Sequence, residues 1–202
     1  MILTAPLYML RHGETAWNIE RRMQGTRNSD LTARGRAQAE AMGLALKAEL
    51  ARAPGPTLFL RSPLGRTRET SLIVGAALGL SPGAWRDDPR LAELSYGAWE
   101  GSTWPEIEVH TPNAMASWRA DPEGFCPPGG ETHFELRRRS AAALADIAAA
   151  STCTVVVGHG VSGAVLRGIN LGLDARAMFV LEKPQDAFFR LTPGAEERIV
   201  AA

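Results

Sequence analysis

The run over residues 152–157 constrains the fold more than any other segment, because every side chain in it is β-branched or apolar. A strand that is apolar on both faces is typical of the centre of a parallel sheet covered by helices on both sides. Gly158-His159-Gly160 ends this run, and a helix reaching Leu171 is predicted to follow. We therefore expect an α/β protein.

Strand and helix signals alternate along the rest of the chain. Short apolar runs predict strands over residues 6–10 and 57–60, and helices are predicted over residues 33–52, 64–78 and 131–150. Three closing strands, antiparallel at one edge, are predicted over residues 178–181, 187–191 and 198–200. This succession is typical of a doubly wound, mostly parallel sheet with helices on both faces.

The length, the charge and the cysteines of the chain restrict its domain organisation and its partners. The 202 residues predict one domain over residues 1–202, with a small lid-like insertion rich in Pro and Trp at about residues 98–130. Lys+Arg and Asp+Glu both number 22, which argues against nucleic acid or a membrane as the main partner. No leader or membrane-spanning segment is recognised, so a cytoplasmic location is expected. Cys126 and Cys153 lack metal-site spacing and are expected to be free thiols.

Three charged clusters follow predicted strands, at residues 11–14, 61–66 and 158–160. The carboxyl ends of parallel strands share one edge of a sheet, so these clusters should converge on one crevice. Both His12 and His159 are flanked by Gly, which permits close approach of a ligand. Helix N-termini and arginines favour an anion. The sequence therefore predicts a phosphate pocket that contains two imidazoles.

Five ordered motifs resemble the histidine phosphatase superfamily, in the branch that contains the cofactor-dependent phosphoglycerate mutases. They are Arg11-His12-Gly13-Glu14 with Asn18; Gln24-Gly25 followed by Asp30-Leu31-Thr32, Gly35 and Gln38; Ser62-Pro63-Leu64-Gly65-Arg66-Thr67; Glu93-Leu94-Ser95-Tyr96-Gly97 with Trp99-Glu100-Gly101; and Val157-Gly158-His159-Gly160. The resemblance covers nearly the whole chain. It implies a phosphoglycerate mutase-like fold.

The resemblance also implies a mechanism without a metal or a cofactor. His12 would carry the phosphoryl group, His159 would stabilise the transition state, and Glu93 would act as general acid and then as general base. The implied phosphate ligands are Arg11, Asn18, Arg66 and Gly160, and the implied lining of the pocket entrance is Gln24 and Gly25. Many members of the family carry Arg at the position of Ala164, so this chain lacks one secondary contact.

Three functions stay open at this point. The first is a phosphatase for a small-molecule phosphate ester, the second a phosphoglycerate mutase, and the third a phosphate-binding module without activity. Only about thirty residues separate Gly101 from Glu131, which favours hydrolysis over the more enclosed site of a mutase. The substrate is not identified, and a homodimer formed through an edge strand stays open.

Other polar residues have simpler interpretations. His110 and His133 are predicted to lie at the surface, and residues 137–139, all Arg, to form a solvated helix face. Glu14 and Glu100 are expected to be solvated or capping carboxylates. The tryptophans are expected to pack in the core, with one or two beside the substrate pocket, and Phe134 and Leu144 are expected to face inward from their helix.

Overall fold

The computed structural model describes residues 3–52 and 55–201. Within these residues one sheet has six strands in the order β3-β2-β4-β1-β5-β6. The strands are β1 (Leu7–Arg11), β2 (Thr57–Arg61), β3 (Trp85–Asp87), β4 (Cys153–Gly158), β5 (Ala187–Thr192) and β6 (Ala195–Val200). The first four in spatial order are parallel, and β5 and β6 add an antiparallel edge. The prediction of a mostly parallel sheet is confirmed.

Helices cover both faces of the sheet. They are α1 (Ala16–Ile19), α2 (Ala33–Arg52), α3 (Gly65–Leu78), α4 (Trp104–His110), α5 (Ala114–Ala120), α6 (His133–Ala150), α7 (Gly160–Leu171) and α8 (Ala175–Val180). Alternate residues of β4 point to opposite faces. Val155 packs in a core cluster with Met42 of α2 and Val74 of α3, whereas Val156 packs with Leu144 of α6 and Leu166 of α7. This double burial explains the uniformly apolar run.

One predicted strand is wrong. Residues 178–181 were expected to be extended, but Met178 lies in the helix α8. Asp174 starts that helix, because its Oδ1 accepts the backbone N–H of Ala177 at 2.8 Å, as an N-cap does. Met178 is buried against Gly168 of α7. A local capping contact and packing on a helix therefore outweigh the apolar composition of this segment.

Helix α6 begins at His133, after the N-cap Thr132. This start places His133 and Leu136 on the buried face and leaves the side chain of Phe134 60% exposed, so the inward orientation predicted for Phe134 is wrong. Leu144 is buried as predicted.

The segment over residues 98–130 contains α4 and α5 and has its own small core. Trp99, Ile107 and Ala114 are buried there, with Trp104 and Phe125 packed against them. No helix in the described part of the chain is long and apolar enough to cross a membrane, and both cysteines are free thiols.

Candidate active site

Strand register brings the predicted clusters together. Arg11 of β1 pairs with Gly158 of β4, and Arg61 of β2 pairs with Val157 of the same strand. The next residue after each strand therefore lies at one edge of the sheet: His12, Ser62 and His159. The rings of His12 and His159 meet edge to face, with 5.3 Å between their centroids. The sequence predicted this convergence of the two histidines correctly.

His12 is held in one tautomer. Its Nδ1 lies 2.7 Å from the carbonyl oxygen of Gly13, so Nδ1 carries the proton and donates it, which leaves a lone pair on Nε2. Burial, and then the charges of Arg66 and Arg11, hold the pKa of His12 well below its ordinary value. The imidazole is therefore neutral near pH 7, and Nε2 is available as a nucleophile.

Two guanidinium groups supply positive charge beside His12. Arg66 is almost fully buried, and its Nη1 and Nη2 donate to the carbonyl oxygens of Arg27 and Gly25 at 2.6 and 2.8 Å. Arg11 donates from Nη1 to the carbonyl oxygen of Lys183. The Nε atoms of both arginines are buried and have no hydrogen-bond partner among residues 3–52 and 55–201. Unpaired cationic donors of this kind are satisfied by an anion.

His159 is positioned by Ser62, whose Oγ lies 2.7 Å from its Nε2. Its Nδ1 is buried and has no partner in the described part of the chain. Burial, and then the charge of Arg66, hold the pKa of His159 well below its ordinary value. Gly160, the next residue, lies against the guanidinium of Arg11, since a Cβ built on it would stand 3.4 Å from Arg11 Cζ.

Glu93 caps the helix that follows His159. One oxygen accepts the backbone N–H groups of Leu94 and Ser162 at 3.0 and 2.8 Å, and the other accepts the N–H of Val161 at 3.0 Å. The N-terminus of α7 thus binds the carboxyl group of Glu93 at Val161 and Ser162, just after His159 in the chain. This contact is made in the tertiary structure alone, because 68 residues separate Glu93 from Val161.

Arg139 holds the loop that carries Glu93, which corrects the prediction of a solvated arginine face. Its guanidinium donates to the carbonyl oxygens of Arg90, Ala92 and Glu93 at 2.7 to 3.0 Å and forms an ion pair with Glu131. Arg137 and Arg138 are exposed, as predicted. A run of three arginines contains no signal that would single out the third.

Asn18 is connected to the backbone of His12 through Gln185. Its Oδ1 accepts hydrogen bonds from the backbone N–H of Thr15 at 3.1 Å and from Nε2 of Gln185 at 3.0 Å. These two hydrogen bonds fix the orientation of the Asn18 side-chain amide. Gln185 also donates to the carbonyl oxygen of His12. Sequence reasoning missed Gln185, because it lies in an irregular segment 167 residues from Asn18.

Gly25, one of the two predicted entrance residues, supports Arg66 through its backbone. Gly25 accepts from Arg66 and adopts a φ of 52°, and a Cβ there would stand 2.0 Å from Oε1 of Glu100. Only glycine fits this position. The Nε2 of Gln24 donates to Thr15 Oγ1 at 2.8 Å. Glu100 is buried, not solvated, and it accepts the backbone N–H groups of Thr26 and Arg27 in the turn after Gly25.

A cavity of about 240 Å³ lies between the insertion and the catalytic edge. Val161 and Lys183 line it and also belong to the surroundings of Glu93 and Arg11. His133 lines it as well, which corrects the prediction that His133 lies at the surface: only 8% of the residue is exposed. His110 is exposed, as predicted.

Among the residues that the structure describes, no three His, Cys, Asp or Glu side chains come together closely enough to hold a metal ion.

A doubly wound sheet with two imidazoles and two buried guanidinium groups at its carboxyl edge defines a phosphoglycerate mutase-like protein. The model of the histidine phosphatase superfamily (branch 1) matches residues 7–200, and the chain belongs to this family. It is therefore an enzyme of that superfamily, as the motifs predicted.

The proteins that are similar in sequence include both a probable mutase and a phosphatase. The chain is 39% identical over 178 residues to a probable phosphoglycerate mutase GpmB of Klebsiella pneumoniae, covering 85% of this chain and 77% of that protein. It is 36% identical over 143 residues to the glucosyl-3-phosphoglycerate phosphatase of Mycobacterium tuberculosis, covering 71% of this chain and 60% of that protein.

Solved structures agree with the fold. The mycobacterial glucosyl-3-phosphoglycerate phosphatase in complex with VO3 superposes with a TM-score of 0.78 at 29% identity, covering 98% of each chain. The alpha-ribazole phosphatase of Shigella flexneri superposes with a TM-score of 0.82 over 98% of this chain and 96% of that chain. At 22% identity, the second likeness shows the fold alone.

Proposed function

We propose that this protein hydrolyses phosphate monoesters of a small metabolite through a phosphohistidine intermediate on His12. The observation that carries the proposal is the state of His12. Its Nδ1 is committed to Gly13, its Nε2 makes no hydrogen bond to residues 3–52 and 55–201, and the charges of two buried guanidinium groups act on the ring. A neutral, oriented imidazole beside fixed positive charge meets the two needs of phosphoryl transfer, which are positioning and electrostatic stabilisation.

In the first step, Nε2 of His12 attacks phosphorus and the bond between phosphorus and the ester oxygen breaks. Arg11, Arg66 and His159 surround the phosphoryl oxygens, with Asn18 and Gly160 as further contacts. Glu93 gives its proton to the leaving oxygen. This step uses Glu93 in its protonated form, which the carboxyl group regains in the second step.

In the second step, water attacks the phosphohistidine. Glu93, now a carboxylate, takes a proton from that water, the bond between phosphorus and Nε2 breaks, and inorganic phosphate leaves. His12 and Glu93 return to their starting forms, so each turnover consumes one ester and one water.

A matched pair of histidine variants tests this function. We expect His12→Ala to abolish phosphate release from an aryl phosphate, whereas His110→Ala, which changes an exposed histidine, keeps it. Labelled substrate should trap an acid-labile, base-stable phosphoenzyme in the parent protein and not in His12→Ala. Activity should persist in excess chelator. Label on a serine or on Cys126, or loss of activity on chelation, would contradict the proposal.

A phosphoglycerate mutase is the second candidate, and the 39% identity to a probable mutase favours it. A mutase must exclude water from the phosphohistidine. The segment from Gly101 to Gly130 is short and contains five prolines, so we expect a rigid and incomplete cover. The test compares phosphate release with interconversion of 3- and 2-phosphoglycerate on one preparation, with and without 2,3-bisphosphoglycerate. Isomerisation faster by roughly a hundredfold, about 2.7 kcal/mol of barrier, would establish the mutase.

A further inference from the structure

A continuous series of aromatic rings lines the cavity beside the candidate active site. Each ring contacts the next, with centroid distances of 4.1 to 6.0 Å, in the order Phe125, Trp99, Trp104, Trp118, Phe179 and His133. All six line the same cavity. The pairs are mostly edge to face, and together they form an aromatic wall. Such a wall favours the packing of another ring against it.

The charged side chains of this cavity are already engaged. Lys183 donates from Nζ to the carbonyl oxygens of Phe179 and Leu181 at 2.8 and 2.9 Å. Glu131 forms an ion pair with Arg139 at 2.7 Å. A leaving group that carries a carboxylate or many hydroxyl groups would lose water without gaining equivalent partners there. The wall therefore discriminates against strongly polar leaving groups.

His133 is the polar exception in the wall. Its ring packs edge to face on Phe179, with 4.1 Å between the ring centroids. Burial, and then the charge of Lys183, lower its pKa to about 4. At pH 7 the ring is neutral, so it offers one donor and one acceptor to a bound molecule.

Size is consistent with an aromatic occupant. A dry cavity of ~150 Å³ binds a benzene ring, and the volume here is about 240 Å³. The cavity meets the phosphate site at Val161, whose N–H binds Glu93, and at Lys183, whose carbonyl oxygen binds Arg11. A phosphate ester held at His12 would extend its leaving group into this space.

We propose that the cavity binds the leaving group of phosphate monoesters that carry an aromatic or heteroaromatic ring, and that His133 determines specificity by hydrogen bonding a polar ring atom. This inference rests on the proposed hydrolytic function and names the substrate class for it.

A series of three esters tests the class: ethyl phosphate, 2-phenylethyl phosphate and 2-(pyridin-3-yl)ethyl phosphate. All three leaving groups are primary alkoxides of similar basicity, so differences in kcat/KM report binding of the ring. We expect the phenyl ester to exceed the ethyl ester by roughly a hundredfold and the pyridyl ester to exceed the phenyl ester by several-fold. Equal kcat/KM values for the ethyl and phenyl esters would overturn the proposal.

Two variants and a control locate the effect. Trp118→Ala should reduce the ratio of phenyl to ethyl ester about tenfold, and His133→Phe should remove the advantage of the pyridyl ester while the phenyl ester stays preferred. Phe134→Ala changes an exposed ring outside the cavity and should leave both ratios unchanged. Full retention of the phenyl preference in a folded Trp118→Ala protein would overturn the cavity assignment, and retention of the pyridyl preference in His133→Phe would overturn the role of His133.

Binding of phosphonates separates this inference from the proposed function. 2-Phenylethylphosphonate should bind at least tenfold more tightly than ethylphosphonate in calorimetry, whether or not the protein releases phosphate from any ester. Tight, selective binding without turnover would reject the hydrolase and keep the aromatic site. Turnover with equal binding of the two phosphonates would keep the hydrolase and reject the aromatic site.

Discussion

Ser62 Oγ lies 2.7 Å from Nε2 of His159 and is the only hydrogen-bond partner of that ring within residues 3–52 and 55–201. Ser62 is completely buried at the end of β2. The contact orients the imidazole so that the unpartnered Nδ1 is the atom available to a phosphoryl oxygen. Ser62 is therefore a positioning residue in the proposed mechanism.

We expect Ser62→Ala to lower kcat by roughly ten- to a hundredfold, less than the loss of a direct transition-state donor. Inhibition by vanadate should weaken in parallel, because vanadate would use the same oriented ring. Steady-state kinetics and vanadate titration measure both effects, and circular dichroism checks the fold. An unchanged kcat in Ser62→Ala would show that His159 does not need this contact.

The role of Glu93 is tested by the dependence on the leaving group. Glu93→Gln should slow hydrolysis of alkyl phosphates more than that of aryl phosphates, because a good leaving group needs less protonation. Glutamine keeps an acceptor for one of the two α7 N–H groups and places its NH2 group against the other, so circular dichroism and urea denaturation check that the variant is folded. An equal loss for both ester classes would assign the acid role to another residue, and Glu14→Gln would be the next variant to measure.

Glu100 is expected to determine the stability of the entrance loop. Its buried carboxylate accepts from the backbone of Thr26, Arg27 and Tyr96, and Glu100→Gln would place an amide donor against some of these N–H groups. We expect a loss of about 2 to 3 kcal/mol in the free energy of unfolding.

Urea denaturation of Glu100→Gln measures that loss. Glu123→Gln is the control, since Glu123 pairs with Arg137 at the surface and should change stability by less than about 0.5 kcal/mol. Equal stability of Glu100→Gln and the parent protein would refute the structural role of this carboxylate.

The free energy of unfolding should fall as the pH decreases, because His133 resists protonation in the folded protein. Burial, and then Lys183, lower its pKa from 6.5 to about 4, so the unfolded chain binds a proton that the folded chain resists. The resulting loss begins below pH 6.5 and is complete near pH 4. Between pH 7.5 and 4.5 it amounts to about 2 to 3 kcal/mol.

The variant His133→Phe isolates this contribution, because His12 and His159 remain and respond to acid as in the parent protein. We expect the variant to lose about 2 to 3 kcal/mol less than the parent between pH 7.5 and 4.5 in urea denaturation. Parallel pH profiles of the two proteins would show that the imidazole of His133 titrates freely in the folded state.

Local sequence patterns were sufficient for most of the fold. The apolar run of β4 predicted the buried centre of a parallel sheet, and Val155 and Val156 do pack on opposite faces. Residues that follow parallel strands share an edge, so the meeting of His12 and His159 was also predictable. Met178 shows the limit, since apolar composition did not reveal the cap at Asp174 that makes the segment helical.

The sequence by itself therefore determined five of the six strands, the motifs and the family, because these depend on periodicity and on short stretches of chain. The short edge strand β3 (Trp85–Asp87) was not predicted. Only the tertiary structure decided which donors and acceptors are satisfied. Arg139 binds the loop of Glu93, and His133 turns from a predicted surface residue into part of an aromatic wall. Such contacts join residues far apart in the chain, and the free energy of burying a polar group depends on the partner that three-dimensional packing supplies.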